Sequence, residues 1–157
     1  MAPKLLFDIS EIDLDQVEVD AQGIEQVNPH RGAMRMLDAI IWSDRETYAA
    51  LAYKDVRPDE FWVPGHIPGR ALFPGVLMIE AGAQLASWMI HQFFDDYPFL
   101  GFVGCDDVKF RGQVVPGNRL YLLGLPTTFK RRRSICAVQG VVNGGLVFEA
   151  TITGMPV

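Results

Sequence analysis

Three features of one stretch, Gly65 to Gln84 (GHIPGRALFPGVLMIEAGAQ), could carry chemistry. The first is Glu80, a carboxylate in an apolar run that holds no Lys or Arg between Ala71 and Phe94. A carboxyl group that is partly desolvated and has no cation beside it keeps its proton to higher pH, which suits a general acid. The competing reading is a surface acid on an amphipathic helix, and the apolar residues on every side speak against it. The second feature is His66. A lone loop histidine is more often structural, but Gly65 and Pro68-Gly69 bracket this one, fixing the backbone and letting a ligand approach closely. The third is the start of a helix after Pro74, where free N–H groups of Gly75 and Val76 can hold an anion or a developing oxyanion such as an enolate-like thioester oxygen. A histidine, a carboxylic acid and an oxyanion donor suit removal of a proton beside a carbonyl and expulsion of a β-hydroxyl. No nucleophilic Ser or Cys accompanies them.

These groups need a helix to hold them. Gly75 to about Phe94 is apolar almost all round, so it reads as a buried helix that spans nearly 30 Å at about 1.5 Å per residue. Arg57 to Leu72 precedes it as a loop held by prolines. Upstream, a short helix over Ala21 to Val27 should end at Asn28-Pro29, because the residue before proline disfavours the helical region. Met34 to Trp42 and Thr47 to Asp55 read as a strand pair. Downstream, strands are expected over Phe99 to Val103, Asp107 to Phe110, Arg119 to Thr128, Ser134 to Val142 and Leu146 to Thr153, with Asn143-Gly144 as a type I′ hairpin signal. One long buried helix followed by antiparallel strands predicts an α+β fold, a curved sheet wrapped around the helix.

Composition sets the outer limits. The chain has 157 residues, enough for one domain with a sizeable core, and residues 1–20 read as an acidic leader with an edge strand or loop. A net charge of −5 argues against bulk nucleic-acid binding. Acids at Asp8, Glu11, Asp13 and Asp15 argue against a signal or transit peptide. Pro74, Glu80, Gln84 and His91 argue against a membrane span over Ala71 to Phe94. Cys105 and Cys136 stand far apart without CxxC spacing, which suggests a reducing, cytosolic setting. No metal-ligand spacing is present, and no cofactor is expected. His30 and His91 are read as structural. Lys130-Arg131-Arg132-Arg133 is the one concentrated basic patch, either a solvated turn or a docking site for an acidic partner.

The stretch from Gly65 to Gln84 resembles the β-hydroxyacyl-acyl carrier protein dehydratases of the FabZ type, whose pattern GHFPGxPxxPGVLxxEAxAQ has the same histidine-to-glutamate spacing. Pro29-His30-Arg31, Lys109-Phe110-Arg111, Val114-Val115-Pro116-Gly117 and the closing hairpin extend the resemblance over about Ile24 to Thr153. The resemblance implies a hotdog fold. It also implies a lyase that converts (3R)-3-hydroxyacyl-acyl carrier protein to the trans-2-enoyl thioester in fatty acid biosynthesis, its acyl chain carried on 4′-phosphopantetheine. His66 then looks like the base, Glu80 like the acid and the Gly75 N–H like the donor to the thioester carbonyl, with Val76 beside it. The family's shared site implies a homodimer, with assembly of three dimers into a hexamer left open. The basic run would receive the carrier protein. Ile67 replaces the usual phenylalanine, and Gly32-Ala33-Met34-Arg35 replaces the usual aromatic and leucine residues, which bears on tunnel shape. A hotdog thioesterase, a coenzyme A ester hydratase and a non-catalytic acyl-binding subunit are the alternatives.

Overall fold

The computed structural model describes residues 3–157, so the first two residues of the expected leader lie outside the described residues. Helix α1 (Ala21–Val27) is capped by the Asp20 carboxylate, which accepts the Gly23 N–H, and it stops at Asn28 as the proline rule requires. Strands β1 (Ala39–Ser43) and β2 (Ala50–Asp55) follow, then helix α2 (Gly75–Phe93). Four strands complete the chain: β3 (Leu100–Phe110), β4 (Arg119–Lys130), β5 (Arg133–Val142) and β6 (Gly145–Pro156). All pair antiparallel in one sheet of order β1-β2-β4-β5-β6-β3. The sheet curves around α2, and this is the hotdog fold that the resemblance implies.

Period-two alternation gives the sheet two apolar faces. Ile40, Ala52, Leu122 and Val138 face α2, which buries Met78, Leu85, Trp88 and Met89 against them. Ile41, Leu51, Leu123 and Val141 face the other way and are covered by Leu5, Leu6, Phe7, Ile9, Ile12 and Leu14. The segment expected as an acidic leader is therefore an irregular strap whose apolar residues seal the outer face. Gln139 ties it down, accepting the Leu6 N–H at 2.8 Å and donating to the Lys4 carbonyl at 3.1 Å.

Most expected strand ends shift by one to three residues, and two differences are larger. The strand expected from Met34 begins only at Ala39, since Gly32–Met34 forms a 3-10 turn and the Met36 N–H is bound by a side chain of α2. The strands expected over Phe99 to Val103 and Asp107 to Phe110 are one strand, β3, with bulges between Phe102 and Gly104 and between Asp106 and Lys109. Asn143 and Gly144 both have positive φ, 49° and 77°, as the type I′ reading requires. Cys105 and Cys136 both pair with Ile152 from opposite sides. They are thus two strand spacings apart, about 10 Å, which is beyond the reach of a disulfide.

Candidate active site

The first two turns of α2 organise the site. Pro74 leads into the helix with no side-chain cap, so Gly75 and Val76 present N–H groups that the helix cannot satisfy internally. Both line a cavity of about 570 Å³, whose walls include Leu72, Met78, Phe110 and Gln113. Glycine at 75 leaves room for the Phe110 ring against the helix end. A Cβ there would lie 2.8 Å from two carbons of the Phe110 ring.

Glu80 sits in the second turn with its side chain 25% exposed. Sequence neighbours leave it without a partner, but the fold supplies two. Gln84, one turn on along the same face, donates from Nε2 to Glu80 Oε1 at 2.8 Å. His30, fifty residues upstream, places Nε2 3.5 Å from the same oxygen. Gln84 is itself fully engaged: its second Nε2 hydrogen goes to the Met34 carbonyl at 2.7 Å, and its Oε1 accepts the Met36 N–H at 2.8 Å. A buried amide with every partner in place fixes one orientation, and here it fixes the 34–36 segment to α2.

His66 lies on the exposed rim of the loop before α2, its N–H donating to the Trp62 carbonyl at 2.9 Å. Its ring makes no hydrogen bond or ion pair with any described residue, Glu80 of the same chain included. The loop is anchored from beneath. Trp62 packs edge-on against Phe73 and donates from Nε1 to Glu60 Oε2 at 2.9 Å, while Glu60 also meets Lys54 Nζ at 3.0 Å. Burial pushes the Glu60 carboxyl up, but the Arg57 N–H, the Trp62 indole and Lys54 together hold it below the usual carboxylate range.

Residues 28–151 match the FabA-like domain. The chain belongs to that family. It is 35% identical over 138 residues to the 3-hydroxyacyl-[acyl-carrier-protein] dehydratase FabZ of Streptococcus pneumoniae, covering 86% of this chain and 96% of the relative. It is 37% identical over 136 residues to the protein of the same name from Lawsonia intracellularis, covering 84% and 88%. Among solved structures, the dehydratase heterocomplex ApeI:P from Xenorhabdus doucetiae aligns with a TM-score of 0.71 at 14% identity, covering 85% of this chain and 90% of that one. The sigma28-regulated virulence protein Cj0977 from Campylobacter jejuni aligns with a TM-score of 0.64 at 17% identity, covering 89% and 94%. These two share the fold.

Within this FabA-like domain the expected site residues fall into two groups. Gly75, Val76 and Glu80 share one helix end, and the loop before that end carries His66. Lys130, Arg131, Arg132 and Arg133 lie elsewhere, at the exposed tip of the β4–β5 hairpin, Arg131 and Arg132 forming its turn. That turn is beside the far end of α2, since Tyr97 donates its hydroxyl to the Lys130 carbonyl. The four cations form no ion pair among the described residues. Sequence reasoning missed His30, Lys54 and Glu60. The Glu80–Gln84 spacing was readable as one helix face, but nothing local to Pro29-His30-Arg31 points to residue 80. Lys54 lies within the expected strand over Thr47 to Asp55, and nothing in its sequence neighbours marks it as buried.

Proposed function

We propose that this FabA-like chain is a hydro-lyase that dehydrates (3R)-3-hydroxyacyl thioesters of acyl carrier protein to trans-2-enoyl thioesters in fatty acid biosynthesis. The observation that carries the reading is an acid oriented by a buried amide, Glu80 by Gln84, at an uncapped helix end that opens on a largely apolar cavity. His66 takes the α-proton, and charge building on the thioester oxygen meets the N–H groups of Gly75 and Val76. Glu80 delivers its proton to the β-hydroxyl, which leaves as water as the double bond forms. The proton on His66 and the vacancy on Glu80 are then reset through solvent, so no cofactor is consumed. The FabZ relatives at 35% and 37% identity support this reaction class.

The proposal includes a homodimer whose sites are shared. Among the described residues β3 is an unpaired edge of eleven residues with Phe102, Val103 and Phe110 exposed, the kind of edge that a soluble protein normally covers. Pairing of β3 with a second copy would cover it, and His66 of one subunit would then meet Glu80 of the other. It also includes carrier docking at Lys130–Arg133, which requires the partner's cavity to open beside this turn. A cytosolic setting fits two thiols that cannot bridge.

Hydration of a crotonyl thioester by the purified chain tests the reaction, with His66→Ala and Glu80→Gln each expected to abolish it. Co-refolding the two dead variants in equal amounts should restore about one quarter of wild-type activity, because half of the dimers are mixed and each holds one intact site. No recovery in mixed dimers would refute the shared site. Free thiol released without enoyl product would assign a thioesterase instead.

A further inference from the structure

We propose that His30 is a positioning residue for Glu80. Together with Gln84 it holds the Oε1 oxygen, so that Oε2 is the oxygen that exchanges a proton with substrate. The inference rests on the dehydratase reading and adds to it a group that the His66–Glu80 scheme does not contain.

Two donors converge on one oxygen of this carboxylate. Gln84 Nε2 lies 2.8 Å from Oε1 and His30 Nε2 lies 3.5 Å from it. Oε2 has no partner among the described residues. The other ring nitrogen, Nδ1, is buried and unpartnered among the described residues, so the hydrogen of a neutral imidazole is best placed on Nε2, toward Oε1. At 3.5 Å the contact is an electrostatic one, longer than a good hydrogen bond.

The ring is also delivered deliberately. Arg31 donates from Nη1 to the carbonyls of Asn28 and His30 at 2.8 and 2.9 Å, and from Nη2 to the Glu25 carbonyl at 2.7 Å. Asn28 in turn donates from Nδ2 to the Gln84 carbonyl at 2.9 Å. The Asn28–Arg31 segment is thereby pinned to α1 on one side and to α2 on the other, and His30 projects from it onto Glu80. A carboxyl group held by one oxygen keeps the other aimed, and a displacement of about 1 Å at a reacting group can cost about a hundredfold in rate.

The test compares His30→Ala, His30→Gln and His30→Asn. A glutamine places its amide nitrogen close to the position of Nε2, whereas an asparagine places its own close to Nδ1. His30→Ala should lose about 10- to 100-fold in kcat with KM within about twofold, His30→Gln should regain most of the loss, and His30→Asn should not. Equal rescue by both amides, or an unchanged kcat in His30→Ala, would overturn the assignment. If His30→Ala does not fold, the comparison of glutamine with asparagine decides alone. Crystal structures of the variants give a readout that needs no activity: the Glu80 carboxyl should swing off its wild-type orientation in His30→Asn and keep it in His30→Gln. Absence of dehydration by the wild type would refute the function proposed above, and this structural readout would still decide what His30 does.

Discussion

Glu60→Ala tests whether the loop bearing His66 is held from beneath by one buried ion pair. The Lys54 and Glu60 side chains are 3% and 9% exposed, with Nζ 3.0 Å from Oε2. Without the carboxylate, Nζ keeps the ring of Phe73, 5.8 Å from its centroid, and the Arg57 N–H and Trp62 indole lose their acceptor. Stripping one partner from a buried pair costs about 3–5 kcal/mol. At about 4 kcal/mol, a chain of this size should melt about 8–16 °C lower. Replacing both partners, Lys54→Met with Glu60→Ala, should cost less than Glu60→Ala alone, because no charge is left buried. The pH dependence has a definite sign. A carboxyl held below its ordinary value of 4.5 contributes stability above that value and loses it as pH falls through the folded-state value. Wild-type Tm should therefore drop on acidification from about pH 5 to 3 more steeply than that of Glu60→Gln. Melts by circular dichroism at fixed protein concentration read both effects. A Glu60→Ala protein that melts within about 3 °C of wild type, or a double variant that melts lower than Glu60→Ala, would refute the reasoning.

Three further outcomes follow from single contacts. Gly75→Ala should drive the Phe110 ring from its place, since the new Cβ would lie 2.8 Å from it, and reduce crotonyl-thioester kcat/KM by at least about tenfold with the fold retained by circular dichroism. Gln84→Met leaves the Met36 N–H and the Met34 carbonyl without partners, which should cost about 1–3 kcal/mol for each group in a denaturant melt and lower kcat as Glu80 loses its donor. Burial pushes the Cys136 thiol up to about 12, so a thiol reagent at pH 8 should label it only after denaturant is added.

What could be read from the sequence was local. The span of α2, the end of α1 at Asn28 and the Asn143-Gly144 hairpin each depend on a period or a turn residue within a few positions. The errors arose where a distant group decided the outcome. β1 starts late because Gln84, forty-eight residues on, takes the Met36 N–H. Across the break expected between Val103 and Asp107 the strand is continuous, with Gly104, Cys105 and Asp106 paired to β6 between two bulges, the second holding Asp107 at φ 51°. The charges of the N-terminal segment point to a leader, while the apolar residues spaced between them pack on the outer sheet face. The isolation of Glu80 was a statement about sequence neighbours. Its real neighbours are an amide one turn away and an imidazole brought in by a loop.

Two polar ties thus support the site, the Gln84 amide for residues 34–36 beside Glu80 and Lys54–Glu60 for the loop bearing His66. Irregular segments have no continuous apolar face, and their backbone groups still need partners, so a buried polar group that bonds several of them at once is an effective anchor. Gln84 and Glu60 share no partner, which predicts that the destabilisations of Glu60→Gln and Gln84→Met add within about 0.5 kcal/mol. One route could couple them. Asp38 lies 3.5 Å from Arg35 on the first segment and 4.0 Å from Arg57 on the second, while its Oδ2 accepts the Asp55 N–H at 2.7 Å. Arg57 is largely exposed, so that bridge is screened and should contribute little. Denaturant melts of the two singles and the double decide the matter. Coupling well above 0.5 kcal/mol that disappears in an Asp38→Asn background would show that the two loops move as one unit, and would refute their independence.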